Sequence, residues 1–282
     1  MGMSSLDARR AYFRSLHVSG CFVIPNPWDV GSSKYLRHLG FKALATSSAG
    51  FAFACGVPDG AVTRDEMLAH IAEMVAATEL PVNADFGQAF ADQPEQVAEN
   101  VRACVDTGVA GLSVEDATGD DLNPLYTLSS AVDRIRAARS AIDESGRGVL
   151  LTARSECYLV SHPEPFAESV RRLEAYAGAG ADVLYAPGVA RREEMQAIVS
   201  AVAPKPVNII MSSALGLRVS DLAEMGVRRI SVGSSLARSA WTGFIRAANE
   251  IAHNGSFETF RELTPFHELN SFFKTYSASA DK

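Results

Sequence analysis

The chain has 282 residues, of which 47% are hydrophobic and 21% are charged, so it can bury the core of one barrel-sized domain. Its net charge of −7 and its pI near 5.4 exclude the basic surface that a nucleic-acid partner requires, but not a small anionic substrate. Because no apolar run nears the roughly 20 residues of a bilayer span, and the N-terminus lacks a signal-peptide core, we expect a cytoplasmic protein without a membrane partner.

Short apolar runs alternate with longer amphipathic stretches along the chain, a pattern typical of buried parallel strands joined by helices. The predicted strands are 21–25, 43–47, 82–85, 111–115, 149–153, 182–185, 207–211 and 229–232. The predicted helices are 31–39, 64–78, 94–107, 129–144, 164–179, 191–202, 218–225 and 236–253. Eight strand–helix units predict an α/β fold, a (β/α)₈ TIM-type barrel in a single domain over 1–282. A doubly wound open sheet is the alternative, but its dinucleotide-binding glycine turn is missing.

The segment 254–282 remains after the eight units and is predicted to be a C-terminal helical extension. It carries five phenylalanines, at positions 257, 260, 266, 272 and 273. So aromatic a segment would form a large exposed patch unless it covered the bottom of the barrel or a partner subunit. We expect a partner subunit, and therefore a homo-oligomer. The four cysteines are scattered without a CxxC pair, which favours reduced thiols.

Side chains with oxygen donors follow neighbouring predicted strands. Asn83 and Asp85 end the third strand, Glu115 ends the fourth, and Asp59 lies in the loop after the second. The carboxyl ends of barrel strands meet at one mouth, where carboxylates this close repel one another unless a cation or protons intervene. Oxygen donors without a thiol or an imidazole favour Mg²⁺ or Mn²⁺. Taken alone, each acid is more simply a helix cap or a loop residue, but together they predict a metal site.

One arginine is predicted to lie at the same mouth of the barrel. Arg154 directly follows the apolar run of the fifth strand. Its guanidinium could grip a carboxylate or a phosphonate in a bidentate manner. An ion pair with Glu115 or Glu156 is an equally good interpretation of the residue.

Two runs of small residues complete the set. Ser47, Ser48 and Ala49 follow the second strand, where backbone N–H groups could hold a developing enolate oxygen, although a tight turn needs the same residues. The run 233–235 (Gly-Ser-Ser) follows the eighth strand, where many barrels bind phosphate. A phosphate-anchoring barrel enzyme is therefore the competing interpretation.

Five motifs in sequence order resemble the isocitrate lyase/phosphoenolpyruvate mutase superfamily over about residues 25–249. They are PVNADF (81–86), GVAGLSVEDATGD (108–120), LLTARSE (150–156), GADVLYAPG (180–188) and GVRRISVGSSLARSAW (226–241). The resemblance implies a (β/α)₈ barrel whose final helix is exchanged with a neighbouring subunit in a homotetramer or a dimer. It also implies cleavage or formation of C–C or P–C bonds of 2-oxo or 2-hydroxy acids through a Mg²⁺-held enolate.

Carried over by motif, the resemblance assigns Asp85 and Glu115 to the metal, directly or through water, with Asp59 supporting them. It assigns Arg154 to the substrate carboxylate and the backbone of residues 47–49 to the oxyanion. A mobile loop after the fourth strand would close over the substrate.

The sequence departs from the family pattern at two places. The lyases carry a Lys-(Lys/Arg)-Cys-Gly-His loop after the fourth strand, whereas residues 117–124 here contain no Cys, Lys or His. Asn123 falls where the mutase branch carries a loop asparagine, and is a candidate catalytic residue for that reason. Asn83 stands where the family usually has a first acid; its amide oxygen can still bind Mg²⁺, with one negative charge fewer.

These residues predict a lyase: a Mg²⁺-dependent carbon–carbon lyase or decarboxylase for a small oxaloacetate-like or substituted-malate-like dicarboxylate, working through an enolate. One alternative is P–C bond chemistry of the phosphoenolpyruvate mutase or phosphonopyruvate hydrolase kind, which Asn123 favours and the absent loop lysine opposes. Another is a barrel that binds a small acid without catalysis, which the weakened metal site suggests.

Overall fold

The computed structural model describes residues 5–280, and its contacts divide the chain into two compact units, Met1–Ser235 and Leu236–Lys282. The strands of the first unit are β1 (Phe22–Ile24), β2 (Leu44–Ala45), β3 (Val82–Asp85), β4 (Gly111–Glu115), β5 (Leu150–Arg154), β6 (Val183–Tyr185), β7 (Val207–Ile210) and β8 (Arg229–Ser231). Its helices are α1 (Leu6–Leu16), α2 (Val30–His38), α3 (Ser48–Ala54), α4 (Arg64–Ala76), α5 (Pro94–Asp106), α6 (Leu128–Glu144), α7 (Pro165–Gly178), α8 (Arg192–Ala201) and α9 (Val219–Glu224). Helix α10 (Ser235–Asn254) starts at the boundary between the units.

The strands form one parallel sheet with hydrogen-bonded order β1-β8-β7-β6-β5-β4-β3-β2. The two ends of this order, β1 and β2, meet where the Ala45 N–H donates to the Pro25 carbonyl at 3.0 Å. The sheet is thus a nearly closed barrel, and the predicted TIM-type fold is confirmed. The eight predicted strands and eight predicted helices are all present, each with bounds within two residues of the predicted ones.

One side chain strengthens the seam between β1 and β2, the two ends of the sheet order. The Asn26 amide donates to the Thr46 carbonyl at 2.9 Å, beyond the end of β2. Its Oδ1 accepts the backbone N–H groups of Val232 and Gly233, beyond the end of β8, at 3.0 and 2.9 Å. Asn26 therefore ties the carboxyl ends of three strands together.

Two helices were not predicted from the sequence. Helix α1 covers the amino ends of the strands, where its fully buried Phe13 packs with Phe22, Ala43, Ala110 and Leu150. Helix α3 begins where the sequence predicted a small-residue turn. The larger apolar cluster lies between the barrel wall and its surrounding helices, as the amphipathic helix pattern requires. The bottom of the barrel is thus filled by α1.

The second unit consists of most of α10, a 3₁₀ helix at Glu258–Glu262 and α11 (Phe266–Ala280). The second unit begins at Leu236, before the extension predicted to start at residue 254. The predicted domain boundaries stay a prediction. Large apolar side chains are exposed on it: Trp241, Phe244, Ile245, Ile251, Phe257, Phe260, Leu263, Phe266, Leu269 and Phe273. Among the residues described, no helix combines the length and the apolar character needed to cross a membrane.

Candidate active site

Two adjoining cavities open at the carboxyl ends of the strands, with volumes of about 200 and 250 Å³. Both are lined by Ser48, Asp59, Asp85, Arg154 and Leu159. This is the face where (β/α)₈ barrels carry their catalytic groups. The predicted site residues Asp59, Asp85 and Arg154 therefore do share one cavity wall.

Arg154, at the end of β5, lies at the centre of an acidic cluster. Its Nη1 is 2.7 Å from Asp85, its Nη2 is 3.1 Å from Glu115, and its Nε is 2.8 Å from Glu156. Burial lowers the pKa of this guanidinium, but the surrounding carboxylates outweigh that effect and hold the pKa above its usual value. The ion-pair interpretation of Arg154 is therefore present in the structure, with Asp85 as a third partner, while the residue also lines the cavity.

Asp85, at the end of β3, is held in place by donors from the β2 side of the barrel. The Ser48 backbone N–H and hydroxyl donate to its Oδ2 at 3.1 and 3.0 Å. Its own N–H donates to the Thr46 hydroxyl at 2.9 Å. With Arg154 on Oδ1, the carboxylate is oriented toward the cavity from two directions.

The cluster contains more negative charge than Arg154 can neutralise. Burial raises the pKa of Glu115 to about 8 despite the opposing effect of Arg154, and repulsion from Glu156, Asp85 and Asp59 adds to the increase. Burial likewise raises the pKa of Asp59, with Asp85 as the next contributor. Carboxylates whose charged form is disfavoured in this way are suited to accept a cation or a proton.

The donor chemistry of this cluster fits a hard divalent cation. Within residues 5–280, no three His, Cys, Asp or Glu side chains are arranged so that they could enclose a metal by themselves. Mg²⁺, however, commonly uses only one or two carboxylates and retains several waters. Asp85 and Glu115, which both contact Arg154, are the carboxylates that would hold such a cation, and the repulsion that contributes to the raised pKa of Glu115 would favour its binding.

Asn83, the third predicted metal ligand, lies one inward-facing position below Asp85 on β3. Its Oδ1 faces the Arg229 guanidinium at 3.5 Å, and its amide nitrogen donates to the Ala84 carbonyl at 3.1 Å. Asn83 is buried and lines the smaller cavity. The structure therefore directs its oxygen toward an arginine in the barrel interior, while its role as a metal ligand stays a prediction.

The residues predicted to hold an oxyanion form the start of α3. Ser47 caps the helix by accepting the Gly50 N–H at 3.1 Å, and the Ser48 N–H is directed to Asp85. The first N–H groups of a helix have no acceptor within the helix, so the Ala49 N–H is also presented near the cavity that this residue lines. Residues 47–49 thus reach the same cavity as Arg154.

Asn123 lies outside the cluster. It is exposed in the loop between β4 and α6, where its side chain donates to Asp120 at 3.2 Å, and it lines neither of the two cavities. The loop is folded onto itself through a bridge between Ala117 and Leu125. A catalytic role for Asn123 would require this loop to move, and stays a prediction.

Asp116 shows how the wall behind the site is fixed. Its Oδ1 accepts the Glu156 N–H at 2.8 Å, and its Oδ2 accepts Arg172 Nη1 at 2.9 Å and the Tyr176 hydroxyl at 2.5 Å. Arg172 and Tyr176 belong to α7. This buried network joins the ends of β4 and β5 to a helix outside the barrel, and so positions Glu115 and Arg154.

The run predicted as a phosphate site has part of its backbone already engaged. The N–H groups of Val232 and Gly233 both donate to Asn26. An anion at this turn would have to compete with that side chain for them. Gly233 is the residue of the run 233–235 that Asn26 engages, and the phosphate-anchoring interpretation stays a prediction.

Sequence reasoning did not identify the polar floor of the smaller cavity as part of the site. Asn208, Arg229 and Ser231 line that cavity together with Tyr185. The available signal was the presence of polar residues at alternate positions of strands that otherwise read as apolar.

Comparison with known proteins places the chain in a family. The family model described as phosphoenolpyruvate phosphomutase matches residues 13–252. A crystal structure of a candidate lyase/mutase from Burkholderia cenocepacia is 44% identical and superposes with a TM-score of 0.92, covering 96% of this chain and 98% of that one.

Several curated relatives have named activities. The 2-methylisocitrate lyase of Escherichia coli is 28% identical over 76% of this chain and 73% of its own length. The oxaloacetate decarboxylase of Bradyrhizobium diazoefficiens is 28% identical over 69% of this chain and 68% of its own. The relatives thus include enzymes that cleave carbon–carbon bonds.

Proposed function

Because the chain belongs to the isocitrate lyase/phosphoenolpyruvate mutase superfamily and is a lyase, we propose that it cleaves a carbon–carbon bond of a small 2-oxo or 2-hydroxy dicarboxylate. The observation that carries the proposal is the convergence of Arg154, Asp85 and Glu115 at one cavity. A guanidinium beside surplus carboxylates can seat an anionic substrate and a cation side by side.

Asp85 and Glu115 would hold Mg²⁺ or Mn²⁺, with Asp59 supporting them. When bound, the cation would polarise the oxygens of the substrate and stabilise the negative charge of an enolate. Arg154 would then be relieved of part of its pairing and could bind the substrate carboxylate. Glu156 would keep the guanidinium in place through its contact with Nε at 2.8 Å.

The start of α3 would stabilise the oxygen on which charge develops. The backbone of residues 47–49 lies at the cavity, with the Ala49 N–H in the first helical turn. Preorganised N–H donors of this kind act most strongly on a charge that appears only during the reaction.

The loop after β4 favours decarboxylation or a related cleavage without a cysteine acid. Residues 117–124 contain no thiol, amine or imidazole that could deliver a proton. We propose that the enolate takes its proton from water or from Tyr185, whose hydroxyl-bearing side chain lines the cavity. Burial raises the pKa of Tyr185, so its hydroxyl stays protonated at neutral pH.

The test is turnover by the purified protein in Mg²⁺ with oxaloacetate, 2-methylisocitrate and substituted malates, followed by the release of 2-oxo acid products. We expect at least one dicarboxylate to be cleaved, with the rate lost in Arg154→Met. A folded protein that cleaves none of them would contradict the proposal. Phosphonopyruvate, followed by phosphorus NMR, tests the alternative P–C chemistry in the same preparation.

We further propose that the exposed apolar side chains of the second unit pack against a second copy of the chain. Phe244, Leu263 and Phe266 are 61, 62 and 83% exposed, which is unusual for large apolar residues unless a partner covers them. Sedimentation should give a dimer or a tetramer, and Phe244→Glu with Phe266→Glu should give a monomer. A monomeric parent protein would rule this out.

A cytoplasmic location is also proposed. All four cysteines are free thiols, as expected in a reducing compartment, and Cys104 is fully buried. Cell fractionation would test this directly.

A further inference from the structure

The interior of the barrel beneath Arg154 is unusually polar. Inward positions of a TIM barrel are normally filled by branched apolar residues. Here Asn83, Thr152, Asn208, Arg229 and Ser231 are all buried side chains on the strands. A polar interior carries a desolvation cost, so its presence next to a cavity calls for a functional explanation.

Arg229 is the charged residue of this set, and its positive charge is not balanced by a carboxylate. It is only 3% exposed, and its Nε and Nη2 donate to Asn208 Oδ1 at 2.8 Å and to Thr152 Oγ1 at 3.0 Å. Its third contact, with Asn83 Oδ1, is at 3.5 Å. Within residues 5–280, every hydrogen-bond acceptor of Arg229 is a neutral oxygen. Burial lowers its pKa to about 10, so the guanidinium is still charged at neutral pH.

A continuous row of neighbours connects this arginine to Arg154. In the strand register Arg154 pairs with Tyr185, Tyr185 pairs with Asn208, and Asn208 pairs with Arg229. The Arg154 guanidinium lies 5.3 Å from the centroid of the Tyr185 ring. All four residues line the cavity of about 200 Å³. The two arginines therefore stand at the two ends of one wall of the same cavity.

The two guanidiniums differ in what they can still bind. Arg154 already contacts three carboxylates, whereas Arg229 contacts amide and hydroxyl oxygens only. A guanidinium has five N–H donors in a planar fork that matches a carboxylate. A buried cation without a counter-ion gains most from an anion that enters the cavity.

We infer that Arg229 forms an anion subsite on the cavity floor that receives the distal carboxylate of the substrate. Arg154 would hold the carboxylate next to the reacting carbon, and this placement rests on the proposed function. Arg229, positioned by Asn208, would make the enzyme selective for dicarboxylates over monocarboxylates of the same length. Arg229 is thus a specificity-determining residue.

The probes are malate and 2-hydroxybutyrate, which differ only in a carboxylate or a methyl group at the distal end. Calorimetry in Mg²⁺ should show that the parent protein binds malate at least about tenfold more tightly, the worth of a charge-assisted hydrogen bond. In Arg229→Met that ratio should fall close to one, with the affinity for 2-hydroxybutyrate changed by no more than about twofold. The adjacent Arg228→Met, at a half-buried arginine bound to the Gly20 carbonyl, should keep the ratio.

Asn208→Asp separates the binding role from a structural one. It gives Arg229 an internal counter-ion at the 2.8 Å contact, so the barrel should be no less stable while the preference for malate disappears. It also replaces Arg229→Met as the test should that variant fail to fold. A malate preference that survives in Asn208→Asp, or a parent protein that does not distinguish the two probes, overturns the subsite.

The two proposals fail separately. A protein that cleaves dicarboxylates but binds both probes equally keeps the proposed function and loses the subsite. A protein that prefers malate through Arg229 but cleaves no dicarboxylate keeps the subsite and loses the function.

Discussion

Glu115 and Asp116 are consecutive carboxylates at the end of β4, yet they lie in two very different regions. Glu115 faces the cavity, where its partner is an arginine that two other carboxylates also contact. Asp116 faces α7, where Arg172, Tyr176 and a backbone N–H saturate it. Alternation along a strand explains the opposite directions. Glu115 is partly exposed to the cavity and shares its arginine, whereas Asp116 is buried and fully paired, so the two acids differ as a site residue differs from a structural one.

The largest effect should come from removing a carboxylate that faces the cavity, as Glu115 and Asp85 do. Asp85→Asn keeps the shape of the side chain but removes a carboxylate that contacts Arg154 and would hold the cation. We expect kcat/KM for the cleaved dicarboxylate to fall by about 10³-fold or more, with the fold retained. Steady-state kinetics with circular dichroism measures both. Asp133→Asn, at an exposed ion pair with Arg136, is the control and should keep full activity.

On the scaffold side, the same kind of change should affect stability. Asp116→Asn leaves Arg172 buried without its full counter-charge, which costs about 3–5 kcal/mol when a buried pair is broken. Glu115→Gln should instead leave the free energy of unfolding nearly unchanged, since it relieves repulsion within the acidic cluster, while it lowers kcat/KM. Urea denaturation of the two variants measures this contrast. Equal destabilisation would mean that the two carboxylates do not differ as described.

Binding of the cation should stabilise the cavity side specifically. At a Mg²⁺ concentration 100 times the dissociation constant, the parent protein should gain about 2.7 kcal/mol. Asp85→Asn should gain little, whereas Asp116→Asn should respond to Mg²⁺ as the parent does. Thermal unfolding with and without EDTA gives these differences. An equal response in the parent and Asp85→Asn would remove Asp85 from the metal site.

The smallest effect concerns the pH dependence of the scaffold. Burial lowers the pKa of His70, which is stacked on Phe51, to about 4. Between pH 6.5 and 4 the His70 imidazole is therefore protonated in the unfolded chain but neutral in the folded chain. The folded state has its full stability from this group above pH 6.5 and loses it as the pH falls toward 4. His70→Phe should reduce the slope of unfolding free energy between pH 6 and 5 by up to about 1.4 kcal/mol per pH unit. Denaturation at several pH values checks it.

Much of this architecture could be predicted from the sequence because it depends on local patterns. Alternating apolar runs indicate the strands and helices, and barrel topology brings the strand ends together, which was enough to predict that Asp85 and Arg154 would meet. The family motifs then indicated a lyase. Helix α1 was missed, although its Phe13 fills the barrel bottom, because it precedes the first strand–helix unit.

Other features depend on orientation in three dimensions. The sequence places Asn83 two residues from Asp85, but not the arginine that faces it from β8. It also placed Asn123 in the right loop, without indicating that the loop folds back through Ala117 and Leu125. Arg229 begins a strand and lies next to another arginine, so it reads as a surface residue until the register directs it inward. These pairings are between distant parts of the chain.

The barrel should resist opening least at the junction of β1 and β2, although Asn26 strengthens it. Elsewhere adjacent strands share a ladder of backbone bonds, but at the junction of β1 and β2 one carboxamide and one backbone bond carry the connection. Amide hydrogen exchange should therefore be fastest along this junction and slower across β4 and β5. Since α3 begins directly after β2, its first N–H groups should exchange faster than the backbone of β5, which ends at Arg154.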